Sequence, residues 1–448
     1  LEEKNHHLQK SLKLWHIVFI GLGYMAPMAV FDTYGIVSEE TGGHVPMAYV
    51  LTLAAILFTA ASYGKMVRVY PSAGSAYTYT QKTMHPYLGF LVGWAALLDY
   101  IFLPMINALL TKIYLSAAFP NVPGWIWIVG FIAVLLLVNL SRVTITVSIN
   151  AILVLFQFLV CILFATLAIR GLLGKGENLF SMHPFYAPDM QAAALLSGAS
   201  ILCFAFLGFD AVTTLSEETP NPRQTIPRAI FLAALIGGML FTTVSYFTQL
   251  LFPDISVFHD PEAASPEIAL TIGGTLFQAV FLAAALTSTL ASGIASSVSA
   301  SRLLYAMGRD RVLPERIFGY VHPRLGVPVY NVVLIALTSL TALCLDLITA
   351  TSFINFGALT AFTFVNLSVI VHYMVRRKER GWKAMLNYMV LPLIGISFIG
   401  FIWAHLDAKS VMLGLAWSTL GLLYLVYMTK AFRHKPPQFH FEETESIQ

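Results

Sequence analysis

Charge is the scarcest property of this chain. Asp, Glu, Lys and Arg supply 11% of its 448 residues, while 57% are hydrophobic and the mean hydropathy is +0.74. Soluble domains carry about 25% charged residues. A surplus of apolar surface this large excludes a water-soluble fold and makes the lipid bilayer the first expected partner. Cysteine is equally sparse. Cys161, Cys203 and Cys344 each lie inside an apolar run, which excludes a disulfide framework or thiolate metal site and leaves them as filler. Catalytic motifs are missing too. The chain has no Gly-rich phosphate loop, no HExxH pair and no Ser/His/Asp set, and His16, His372 and His405 lack ligand spacing. Neither an enzyme nor a bound cofactor or metal is therefore expected. The stretch after Leu1 is polar, so no cleavable signal peptide is expected. The net charge of +3 and pI near 8.6 do not indicate nucleic acid, because the basic residues are spread over loops.

What the chain does have is apolar runs of spanning length. Crossing a hydrocarbon core of about 30 Å takes roughly 20 such residues. Runs of this kind fall at 14–37, 45–63, 88–118, 125–140, 147–173, 192–215, 228–252, 276–304, 328–345, 353–375, 385–405 and 410–427. They predict an all-α membrane protein of about twelve transmembrane helices. Lys and Arg set the orientation. With both termini in the cytoplasm, 22 of the 26 basic residues fall on cytoplasmic segments; Arg170, Lys175 and Lys409 fall outside, and Lys112 within a span. The outer loop with Asp254, Asp260, Glu262 and Glu267 carries no basic residue. The expectation is N-in, C-in, in the inner (plasma) membrane.

The first and sixth spans are both interrupted, one by Ala26-Pro27 and the other by Gly208, and each then carries a Phe-Asp pair, Phe31-Asp32 and Phe209-Asp210. Interrupted helices in corresponding positions of two halves point to a transporter built from inverted repeats. Pro27 removes an amide and clashes with the preceding turn, which can expose carbonyls at mid-membrane. The bland alternative is a kinked helix satisfied by its neighbours. Gly21-Leu22-Gly23 reads as close helix contact.

Ionisable residues inside spans are costly and face protein or water-filled cavities. Asp32 and Lys112 lie near span ends, where snorkelling is the favoured reading. Asp99 and Asp210 are deeper, and a buried carboxylate there can attract an ammonium or carry a coupling proton. Ser292 and Ser296, four residues apart, share one helix face and can coordinate Na⁺ or simply allow tight helix contact. Tyr24 and Phe204 are aromatic residues near these breaks, placed to gate or to stack on a cation.

Several motifs together carry a family resemblance. They are Met25-Ala26-Pro27-Met28-Ala29-Val30-Phe31-Asp32-Thr33, Pro71-Ser72-Ala73-Gly74-Ser75-Ala76-Tyr77, Leu98-Asp99-Tyr100, Phe206-Leu207-Gly208-Phe209-Asp210 leading to Ser216-Glu217-Glu218-Thr219, and Arg302-Leu303-Leu304-Tyr305-Ala306-Met307-Gly308-Arg309-Asp310. The chain resembles the amino acid–polyamine–organocation transporter superfamily over nearly its whole length, and within it bacterial putrescine importers. The resemblance implies a LeuT-type fold of two five-helix inverted repeats, 14–173 and 192–375, followed by a helix pair at 385–427, with cytoplasmic ends at 1–13 and 428–448. It places the substrate between the broken first and sixth helices, beside Tyr24, Met25, Ala26, Pro27, Asp99, Phe204, Gly208 and Asp210. Phe204 matches the aromatic gate, Asp210 the acid after the break, and Ser292 and Ser296 the ion-site positions. The family's usual Gly/Ser-rich first break, whose free amides hold a carboxylate, is here Ala26-Pro27-Met28-Ala29.

That departure, with the added acids, favours a substrate richer in ammonium than in carboxylate. The reading is a cation-coupled importer of a polyamine such as putrescine, using H⁺, with Na⁺ as the other candidate, and acting as a monomer or homodimer. Rivals are an importer of a small neutral amino acid such as serine, an amine/amino-acid antiporter, and a receptor or channel.

Overall fold

In lipid, a backbone has to satisfy its own polar groups, and for long apolar stretches the helix does so. The computed structural model describes residues 10–188, 190–253, 264–345, 347–404, 406 and 408–433, and no strand occurs among them. In chain order the helices are α1 (Leu14–Met25), α2 (Ala29–Asp32), α3 (Tyr34–Thr41), α4 (Val45–Val69), α5 (Ser75–Thr83), α6 (Pro86–Ala118), α7 (Gly124–Asn139), α8 (Val143–Gly174) and α9 (Ala192–Leu202). Two 3₁₀ stretches, Cys203–Phe206 and Ala211–Glu218, precede α10 (Pro222–Leu251). Then come α11 (Ala264–Arg309), α12 (Glu315–Phe318), α13 (Val329–Ser339), α14 (Leu347–Ile370), α15 (Trp382–Met385), α16 (Leu391–Ala404) and α17 (Ala408–Met428).

Among the described residues, ten segments are long and apolar enough to cross a membrane, and Gly124–Asn139 and Val329–Leu343 are shorter apolar helices. Some expected boundaries shift. The run expected at 228–252 begins earlier, at Pro222, where proline opens a helix at no cost in hydrogen bonds. The run expected from 276 extends back to Ala264 across a kink at Gly274, whose φ of 70° only glycine adopts freely. Asp254, Asp260, Glu262 and His405 lie outside the described residues. The helices pair closely: α4 runs along α10, α6 lies against both α11 and α14, and α1 sits among α8, α10 and α11.

The first break is sharp. α1 stops at Met25, Ala26 takes φ 54° and ψ 97°, and the helix resumes only at Ala29. Neighbours satisfy the freed carbonyls. Ser292 Oγ donates to Tyr24 O at 3.2 Å, and Cys161 Sγ reaches Pro27 O at 3.8 Å. The second break is longer than its sequence suggests. It runs from Cys203 through an extended Leu207 and Gly208 at φ 105° into the 3₁₀ turns that end at Glu218. The two breaks touch, for a Cβ built on Gly208 would fall on the Tyr24 ring.

One cation needs reassignment. Arg302, expected among the cytoplasmic charges, lies inside α11 with its side chain 1% exposed, bonded to the fully buried Glu218 at 2.6 Å. The Glu218 carbonyl in turn accepts the Ser11 and Leu12 amides at 2.9 and 3.0 Å. The chain's N-terminal approach to α1 is thus fastened to the end of the second break.

Two outcomes are expected. Arg302→Met leaves Glu218 buried without its partner and should cost about 3–5 kcal/mol, read as a lower Tm of the solubilised protein. Arg302→Met with Glu218→Leu should recover most of that loss, and a double variant no better than the single one contradicts the coupling. Gly208→Ala forces both a left-handed φ and a clash with Tyr24. Transport rate should fall by about tenfold or more, because displacements near 1 Å at a site have such effects, while membrane insertion persists.

Candidate functional site at the helix breaks

A narrow cavity of about 50 Å³ opens beside the first break. Tyr24, Met25, Ala26, Met28, Ala29 and Asp32 line it from the broken first helix, Asn107 and Tyr114 from α6, Ser288, Thr289 and Ser292 from α11, and Phe204 and Leu207 from the second break. It is far below the roughly 300–1,000 Å³ of ordinary ligand pockets, so its own side chains fill most of the site. Phe204 and Leu207 also line a second cavity of about 420 Å³, bounded by Thr33, Ile56, Thr59, Phe362 and Ile399. These two side chains are the partition between the small space at the first break and a larger apolar one.

Hydrogen bonds tie the cavity wall together. Asn107 Nδ2 donates to Ser292 Oγ at 3.1 Å, and Thr111 and Thr289 hydroxyls meet at 2.9 Å. Tyr114 Oη donates to Asp32 Oδ1 at 3.2 Å. Among the described residues that line it, Asp32 is the single carboxylate and none is Lys, Arg or His. Asp32 is exposed, as a residue near a span end can be, and it also has a place in the cavity wall. Lys112 stays exposed, its stem against Gly124.

Asp99 and Asp210 sit beneath this space and do not line it. Tyr24 is the floor: its ring lines the cavity while its hydroxyl donates to Asp99 Oδ1 at 3.2 Å. Asp210 Oδ2 accepts from Tyr63 and Tyr100, each at 3.0 Å, and its Oδ1 is buried with no hydrogen-bond partner among the described residues. The two carboxylates are 2% and 1% exposed. None of the ion pairs among the described residues involves either of them.

The other expected site residues separate. Met25, Ala26, Phe204 and Ser292 reach the cavity. Pro27 is buried against Cys161 on the far side, and Gly208 lies against the Tyr24 ring. Ser296 turns its hydroxyl back to the Ser292 and Gly293 carbonyls of its own helix, at 2.7 and 3.2 Å. Sequence reading did not single out Tyr63, Asn107 or Tyr114. Their only signal was a polar group within an apolar run, a weak one for tyrosine.

Below the acids, the end of the bundle away from the cavity is laced shut. Arg309 Nη1 bonds Glu217 at 2.6 Å, Glu217 also accepts the Ala73 amide at 3.0 Å, and Tyr77 Oη donates to Asp310 at 3.0 Å. Burial raises the Asp310 carboxyl above its usual value, against the opposing pull of Arg309 and the Tyr77 hydrogen bond.

Comparison with known proteins agrees with this architecture. The amino acid permease model matches residues 16–428. The chain is 48% identical over 435 residues, 96% of either chain, to the low-affinity putrescine importer PlaP of Escherichia coli (strain K12). It is 26% identical over 451 residues, 94% of either chain, to the branched-chain amino acid permease BcaP of Bacillus subtilis (strain 168). It is 28% identical over 383 residues to cationic amino acid transporter 4 of Mus musculus, covering 81% of this chain and 60% of that one. A match of this reach leaves one assignment: the chain belongs to the amino acid permease family, as a multi-pass inner-membrane transporter and not an enzyme.

Proposed function

We propose that this permease imports a short aliphatic diamine, putrescine foremost, by alternating access, with H⁺ as the coupling ion. One observation carries the choice of substrate: among the described residues, the wall of the cavity at the breaks has a carboxylate and no cationic side chain. An ammonium group finds a partner there and a carboxylate does not. Pro27 strengthens this, since it removes an amide from the break that would otherwise serve a carboxylate. The resemblance to a protein named as a putrescine importer points the same way.

The finer architecture belongs to the same proposal. Twelve spans, both termini in the cytoplasm, would form two five-helix repeats and a final pair, as a monomer or homodimer. The helix pairings support the repeats. α1 lies on α10 as α9 lies on α4, and α8 lies on α11 as α14 lies on α6. Each second pairing is the first with the two repeats exchanged, one member five spans on and the other five back, as a duplicated unit requires.

Two carboxylates buried without a cation are costly unless a proton or an ammonium relieves them. Asp210, with one oxygen unpartnered, is assigned the coupling proton, and Asp99 an ammonium group once Tyr24 moves. Ser292, between Asn107 and the Tyr24 carbonyl, and Ser296 mark where Na⁺ would bind if sodium were the driver.

The test is uptake of labelled putrescine into proteoliposomes, with and without an imposed pH gradient. Concentrative uptake driven by the gradient, with little competition from serine, is expected. Uptake driven by Na⁺ alone removes the proton from the scheme. Strong inhibition by serine or leucine favours the neutral amino acid reading, which resemblance to BcaP keeps in view, and a need for internal substrate favours exchange. Asp210→Asn should abolish concentrative uptake while downhill exchange continues. Full gradient-driven uptake by that variant removes Asp210 from coupling.

A further inference from the structure

Three polar side chains recur along α6 at a spacing of seven residues: Tyr100, Asn107 and Tyr114. Seven residues are two turns to within about 20°, so the three share one face, and each step rises about 10 Å. Each is tied to a different element. Tyr100 donates to Asp210 after the second break, Asn107 to Ser292 on α11, and Tyr114 to Asp32 on α2. The ladder therefore holds Asp32 and Asp210 about 20 Å apart along the helix. Leu103 and Leu110 occupy the same face between the rungs and line the cavity with Asn107 and Tyr114.

Resting on the reading of this chain as an amine importer, we infer that Asp32, held by Tyr114, is a separate outer station for an ammonium group. It captures the substrate before transfer along α6 to the Asp99/Asp210 station. A four-carbon diamine spans about 6 Å between nitrogens, five single bonds of roughly 1.5 Å in zigzag. It cannot bridge stations about 20 Å apart, so it occupies them in turn. Tyr24 keeps them apart in this structure, because its ring closes the cavity that contains Asp32 while its hydroxyl is bonded to Asp99 beneath. In the cavity between them, Asn107, Ser288, Thr289 and Ser292 offer an ammonium oxygen acceptors, with no positive charge among the described lining residues.

An outer carboxylate acts on capture. It raises the local concentration of cations, in a way that salt screens. Asp32→Asn should raise the KM for putrescine about tenfold, the usual worth of a charge-assisted hydrogen bond, with kcat changed less than about threefold. It should also flatten the rise of KM with added salt, and Asp32→Glu should restore both. A structural role for Asp32 would lower kcat and Tm together and leave the salt dependence intact. If Asp32→Asn does not reach the membrane, Tyr114→Phe serves instead. It frees the carboxylate of its tether, and a rise in KM with salt dependence retained is then expected. The outer station is overturned if wild-type protein transports putrescine while Asp32→Asn keeps its KM and salt response, or while Tyr114→Phe keeps its KM where that variant is used. Wild-type protein that carries no diamine fails the functional reading itself.

Discussion

Tyr24 ties the end of the first broken helix to three neighbours at once: the second break, α11 and α6. Its ring rests on Gly208, where any side chain would collide with it, its carbonyl accepts the Ser292 hydroxyl, and its own hydroxyl donates to Asp99. Irregular backbone survives at membrane depth only where protein or water satisfies it, and here α8 and α11 satisfy the first break while the second walls it in. The position of the cavity follows. It lies where α1 ends, because the Ala26 geometry and the missing Pro27 amide prevent the helix from continuing.

Around this junction the buried charges divide into two kinds. Glu218 and Arg302 are matched, and the pair has backbone as well as side-chain ties, to Ser301 and to the amides of Ser11 and Leu12. A buried pair of this kind contributes little net stability relative to apolar residues of equal size. Its effect is positional, since it fixes the start of the chain, the end of the second break and the middle of α11 in one register. Asp99 and Asp210 are unmatched and are surrounded instead by tyrosine hydroxyls. Hydroxyls can donate to a carboxylate and equally accept from a protonated one or from an ammonium, so this environment tolerates a change of occupant that an arginine partner would oppose.

Hydropathy made the spans legible, because the bilayer imposes a length and an apolar composition on every one of them. The breaks were legible too, since Pro27 and Gly208 are residues whose backbone chemistry is local. What stayed hidden depends on distant partners or on helix face. Arg302 read as a loop cation because its mate, Glu218, is 84 residues away. Asp32 read only as a residue near a span end, because its partner Tyr114 is 82 residues away. Ser292 and Ser296 looked equivalent at a spacing of four, yet one hydroxyl crosses to α1 while the other returns to its own helix, an option open to any serine in a helix. The tyrosines around Asp210 were invisible for another reason: in an apolar run their rings count as filler, and only the fold shows where the hydroxyls converge.

The bonds of Tyr24 also constrain how the site can open. Reaching Asp99 from the cavity requires the Tyr24 hydroxyl to leave it, and Tyr24 lies one residue before the end of α1 with its carbonyl bonded to α11. Rotation of the side chain alone is resisted on one flank by Gly208, whose backbone approaches the ring closely. The less obstructed route is a movement of the α1 end away from Gly208 and α11, which breaks the Ser292 and Asp99 bonds in the same step. That movement also bears on the N-terminal segment, fastened by Ser11 and Leu12 to the Glu218 carbonyl at the end of the second break. Uncovering the acids and loosening the closure beside Glu217 and Arg309 are thus mechanically linked through α1, a rigid element with an attachment near each end.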